Sequence, residues 1–137
     1  MNRDDFQRLA KIRVQEARTL LDAGHYPGAY YLIGYAVECA LKACVSKQVK
    51  RYDFPDKQFA KDAYTHVLVE LMGLAGLRLD FEKDRKANTK LGDNWQVVKD
   101  WNESYRYDLG ITIKQARDLY SACTGRDGIL SWIRKRW

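Results

Sequence analysis

From Pro27 to Val45 the chain reads PGAYYLIGYAVECALKACV, and this stretch decides the fold. Its apolar residues Ala29, Tyr30, Leu32, Ile33, Ala36, Val37, Ala40, Leu41 and Val45 fall on every side of a helix rather than along one stripe. A helix with that profile is buried among other helices or lies in a bilayer. The unbroken apolar run, Ala29 to Val37, is far short of the ~20 positions a membrane span requires, and Glu38 and Lys42 follow it directly. The segment therefore predicts the central helix of a soluble bundle, running from Pro27 to about Val49.

Upstream, Phe6, Leu9, Ala10, Val14, Ala17, Leu20 and Leu21 recur at three- and four-residue steps, which predicts an amphipathic helix from Asp4 to Ala23. Gly24 is placed to end it in a left-handed C-terminal turn, and His25-Tyr26-Pro27 makes the corner into the central helix. So short a link makes the two helices antiparallel neighbours. Downstream, Arg51 to Asp62 reads as a polar, Pro-containing connection. A third helix is expected from Tyr64 or Thr65 to about Leu77, carried by Val67, Leu68, Leu71, Met72 and Leu74. Arg78 to Leu91 is charged, with Leu79 and Phe81 as its anchors, and reads as a solvated helix or a mobile segment. Gly92-Asp93-Asn94 marks a turn before a short aromatic helix, Trp95 to Tyr105. Thr112 to Trp137 predicts the last helix, bent where Gly125 and Gly128 weaken it. No strand shows convincing alternation.

Composition agrees with this reading. In 137 residues there are only 2 prolines and 9 glycines, too few for the many turns of a sandwich or barrel. The length suits one domain over residues 1–137 with one core. A net charge of +6 permits an anionic partner without requiring one. Three cysteines, with no CxxC and no leader-like start, point to free buried thiols in a reducing, cytoplasmic setting. Cys39 and Cys44 stand about 140° apart around a helix and cannot share a metal ion. There is no Gly-rich phosphate loop, no HExxH and no Cys–His ligand spacing, so no cofactor or metal is expected.

The text of the first two helices, from Leu20-Leu21-Asp22-Ala23-Gly24-His25-Tyr26 through Gly34-Tyr35-Ala36-Val37-Glu38-Cys39-Ala40-Leu41-Lys42-Ala43, resembles the opening helix pair of HEPN domains, "LL..G.Y..A.YL.GYA.E.ALKA". Thr65-His66-Val67-Leu68 with Leu71 is similar to that family's "H.L..L" element, and Trp101 with Tyr105-Arg106-Tyr107 to its "W....RY" element. The resemblance implies an up-and-down bundle of four to five helices, commonly a two-fold homodimer, that contacts nucleotides or RNA. It also implies toxin–antitoxin or defence systems, with a toxin, antitoxin or nucleotidyltransferase as protein partner. Ribonuclease members of the family carry an Arg with a His a few residues on. Here Arg106 is followed by Tyr-Asp-Leu-Gly-Ile-Thr, and no His occurs after His66. The resemblance therefore implies binding with weak or no catalysis.

The expected groove is lined by Tyr35, Glu38, Lys42, His66, Arg106 and Tyr107. Arg106 would grip a phosphate bidentately, the tyrosines would stack on a base, and Glu38 would orient Arg106. Each residue has a plainer role. Glu38 and Lys42, at i and i+4, can satisfy one another, or Glu38 can reach Arg13. His66 at a helix start can bond a loop, and Arg106 can strut the fourth helix. Trp132-Ile133-Arg134-Lys135-Arg136-Trp137 has the composition of a nucleic-acid surface but equally that of a helix C-terminus with its tryptophans packed inward. An enzymatic alternative is a divergent metal-independent ribonuclease using His66 and Arg106. A third is a protein-interaction module of antitoxin or adaptor type.

Overall fold

The computed structural model describes residues 1–49, 54 and 56–137, and within them every regular element is helical. In chain order these are α1 (Arg3–Asp22), α2 (Tyr26–Lys47), α3 (Lys57–Asp62), α4 (Leu68–Leu74), α5 (Arg78–Ala87), α6 (Thr89–Val98), a 3-10 turn (Glu103–Tyr107), α7 (Ile113–Thr124) and α8 (Ile129–Arg134). None of the described helices is long and apolar enough to cross a membrane.

Helix α2 is the axis of the molecule, as its all-round apolar profile requires. It packs against α1, α4, α7, α8 and the 3-10 turn. Ile33, Ala36, Val37, Ala40, Leu41 and Ala43 are sealed from solvent, and buried residues from α1, α2 and α4–α8 join in one cluster. The α1–α2 corner has the expected form. Gly24 takes φ +82, donating to the Leu21 carbonyl, while His25 donates to that of Leu20 at 2.8 Å. These two bonds close the end of α1 as a Schellman turn, whose left-handed residue is cheap only for glycine. The same pair of bonds, at Gly76 and Leu77, closes α4.

The sequence reading needs correction in four places. The third helix begins at Leu68 and ends at Leu74, because the Thr65 hydroxyl accepts from the Val67 amide at 3.1 Å and itself donates to Glu70 at 2.6 Å. That local turn holds His66 in a loop ahead of the helix, not within its first turn. Residues Gly92-Asp93-Asn94 are helix interior, not a turn. Their turn-forming tendency is overridden because Asn88 caps α6 and Asn94 donates to the Asp127 carbonyl at 2.8 Å. The aromatic helix stops at Val98, and residues 103–107 form a separate 3-10 turn started by the Asn102 side chain. The C-terminal helix is broken into α7 and α8, with Gly125 extended at ψ 173. Arg78–Ala87 is an ordered helix anchored by buried Phe81. In the polar connection, Asp56 caps the short α3, while 50–53 and 55 lie outside the described residues.

Candidate functional site

One carboxylate organises the polar centre. Glu38 is 2% exposed, in the middle of α2, and no other polar or charged residue among those described is as fully buried. Its Oε1 lies 3.1 Å from Lys42 Nζ, one turn along the same helix, and 2.7 Å from His66 Nδ1, presented by the loop before α4. Its Oε2 is buried without a hydrogen-bonding partner in the protein. A buried carboxylate needs compensation of this kind, since an unpaired charge in a helical core is costly.

His66 is held on both sides. Its Nε2 is 3.2 Å from Oε2 of Glu103, the first residue of the 3-10 turn. The Nδ1 contact is a hydrogen bond, whereas the Nε2 contact is a close approach at ion-pair distance. The ring is 42% exposed and Glu103 is 48% exposed, so this second contact faces solvent where the first is buried. The two carboxylates sit on opposite ring nitrogens and do not converge on one point. Among the described residues no trio of His, Cys, Asp or Glu is placed to hold a metal ion.

Arg106 and Tyr107 stand on the same 3-10 turn as Glu103. The Arg106 guanidinium lies 4.9 Å from the centre of the Tyr107 ring, which is 74% exposed. Tyr107 above all favours the Arg106 charge and raises its pKa against an opposing loss of solvation, with Tyr31 and Glu103 adding to the rise. Among the described residues Arg106 makes no salt bridge, and its guanidinium faces Tyr107. The expected Glu38–Arg106 bridge is not formed, because Lys42 and His66 take the inner carboxylate. Nor does Glu38 reach Arg13, which pairs with Glu16 at 2.7 Å.

An aromatic ladder backs the site. Tyr35 stacks on Tyr31 at 6.1 Å, and Tyr31 on Trp101 at 5.8 Å. Tyr35 is half-buried and carries Arg13 over its face at 5.8 Å. Burial, with Cys39 and Glu38 nearby, pushes its phenol up to about 12. Tyr35 is therefore a neutral packing surface beside Glu38, and the exposed ring of Tyr107 is open for stacking. Lys42 also borders a cavity of about 290 Å³ lined by Phe6, Val45, Ala63 and Tyr64.

The structure thus brings Lys42 and His66 onto Glu38, and sets Glu103, on the turn bearing Arg106 and Tyr107, against His66. Sequence reasoning missed Glu103. The pairing spans 37 positions, from residue 66 to residue 103, and no spacing rule connects them. Only part of the C-terminal basic motif is absorbed into packing, since Arg134 and Lys135 remain exposed. Trp132 is buried, its indole N–H donates to Asp84 at 2.8 Å, and Arg136 joins the same carboxylate at 2.9 Å while covering the Trp132 ring.

Comparison with family models, with curated proteins and with solved structures gave no match for this chain.

Proposed function

We propose that this chain is a HEPN-like bundle that binds a nucleotide or RNA through the polar centre on α2, with weak or no catalytic power. The observation that carries the proposal is the placement of His66 on a buried glutamate beside a turn that offers Arg106 and an exposed tyrosine. A guanidinium next to an aromatic face suits a phosphate and its attached base. The sequence likeness of the α1–α2 pair to HEPN domains supports the same reading. The same likeness supports a homodimer working in a toxin–antitoxin or defence setting, with a toxin, antitoxin or nucleotidyltransferase as partner. The three free buried thiols suit a reducing cytoplasm.

The test is affinity for a fluorescently labelled single-stranded RNA, measured by anisotropy. The native chain should bind and Arg106→Ala should bind at least tenfold more weakly. Equal affinity in the two proteins sinks the site assignment.

A second reading, metal-independent ribonuclease, is favoured by one contact. Glu38 fixes the His66 ring through Nδ1 and leaves Nε2 on the solvent side, the arrangement that orients a proton-transferring histidine. Arg106 would then stabilise the developing phosphorane charge. Incubation with mixed RNA in chelator decides this reading. Cleavage by the native chain that His66→Ala abolishes supports it, and intact RNA beside an active control rejects it.

A further inference from the structure

We infer that Glu103 is a built-in stand-in for the ligand: its carboxylate occupies the His66 nitrogen that a phosphate takes when nucleotide or RNA binds. The inference rests on the binding function proposed above and adds the residue that regulates it.

The two contacts of the His66 ring are unequal in a way that assigns them different roles. Glu38 sits on the central helix, buried and tied to Lys42, and has nowhere to go. Glu103 stands on a 3-10 turn, half in solvent, and its contact with Nε2 is the longer of the two. An ion pair so exposed is weak and can be exchanged for another anion. A phosphate oxygen can neighbour an imidazole N–H as a carboxylate oxygen does, so the exchange leaves His66 an anionic partner at Nε2.

The charge inventory supports the exchange. Lys42 and Arg106 bring two fixed positive charges, with His66 as a third when doubly protonated, against Glu38 and Glu103. With Glu103 in place the cluster carries little surplus charge to attract an anion. With Glu103 swung out, His66 and Arg106 face the ligand uncancelled. Residues three apart on a 3-10 turn project from the same edge, so Arg106 stands on the side from which Glu103 reaches His66. A phosphate replacing Glu103 on Nε2 is thereby presented to the Arg106 donors. The arrangement accounts for a resting site whose histidine is oriented yet blocked.

The experiment uses the intact chain and a labelled single-stranded 2′-O-methyl oligoribonucleotide, which cannot be cleaved through its 2′ oxygen. Anisotropy is read for the native chain, Glu103→Gln and Glu103→Asp. In parallel, the His66 ring nitrogens are followed by NMR without RNA. The expected result is affinity tightened about three- to tenfold by Glu103→Gln and near native in Glu103→Asp. The Nε2 resonance should move in Glu103→Gln while Nδ1 holds, which also verifies that the variant is folded. Native-like or weaker binding by Glu103→Gln, with the native chain still binding, overturns the inference and leaves the binding function standing. Absence of binding in both proteins overturns the binding function and the inference together.

Discussion

The indole of Trp101 lies directly on the backbone of α2 at Gly34, so close that a Cβ there would fall 2.2 Å from the ring. Trp101 precedes the 3-10 turn that carries Glu103, Arg106 and Tyr107, and it stacks on Tyr31. The missing side chain of one residue on the central helix thus sets how closely the 3-10 turn approaches α2, one helical turn before Glu38.

Replacing Gly34 by Ala forces the indole outward. Overpacking of a filled core costs ~1–3 kcal/mol, and the site segment should move with the ring. Urea unfolding followed by tryptophan fluorescence measures the loss. A variant as stable as the native chain, with an unshifted emission maximum, would show that the turn is not seated by this contact.

The Glu38 cluster is a stability element. Glu38→Ala strands Lys42, whose side chain is only 15% exposed, and breaking a buried pair from one side costs ~3–5 kcal/mol. Lys42→Met leaves Glu38 its contact with His66 and should cost less. Thermal melts of both variants give the order. Equal and small losses would mean that the pair is effectively solvated.

Buried thiols make the fold sensitive to alkali. Burial pushes Cys39 up to about 12 and Cys44 up to about 11, and raises Cys123 in the same direction. Unfolded thiols ionise near ~8.5, so above that pH the unfolded chain releases protons the folded chain retains. Stability is complete below that value and falls as pH climbs towards 11 to 12. Urea midpoints at rising pH should decline accordingly, and Cys44→Ala should flatten part of the slope. The same burial predicts that iodoacetamide at pH 8 leaves the folded chain unmodified.

The tie between α5 and α8 is a fourth test. Asp84→Ala removes the acceptor of both Trp132 and Arg136, a loss of ~1–3 kcal/mol for charged hydrogen bonds that are partly exposed. Amide exchange should accelerate first in α8. Unchanged exchange there would indicate that apolar packing alone holds the C-terminal turn.

Where patterning is strong and local, the sequence is readable. The all-round apolar profile of α2, the stripe of α1 and the Gly24 corner lead directly to the helical hairpin and to its antiparallel pairing. Glu38, Lys42 and His66 stand out because charges are anomalous on such a helix and histidines are scarce in this chain. What could not be read depends on distant partners. Asn94 looks like a turn residue until Asp127 arrives from the α7–α8 link to bond it. Thr65 looks like a helix start, but its hydroxyl bonds forward to Glu70 and delays α4. Glu103 looks like any surface glutamate until the fold sets it against His66.

The most direct test of the account is an amide NMR titration of the native chain with the 2′-O-methyl oligoribonucleotide. The account predicts shifts concentrated at residues 65–67 and 103–107 and along α2 near Glu38 and Lys42, with the Glu103 resonance among the largest. Saturating RNA that moves none of these, or that moves only the C-terminal residues 132–137, would contradict it.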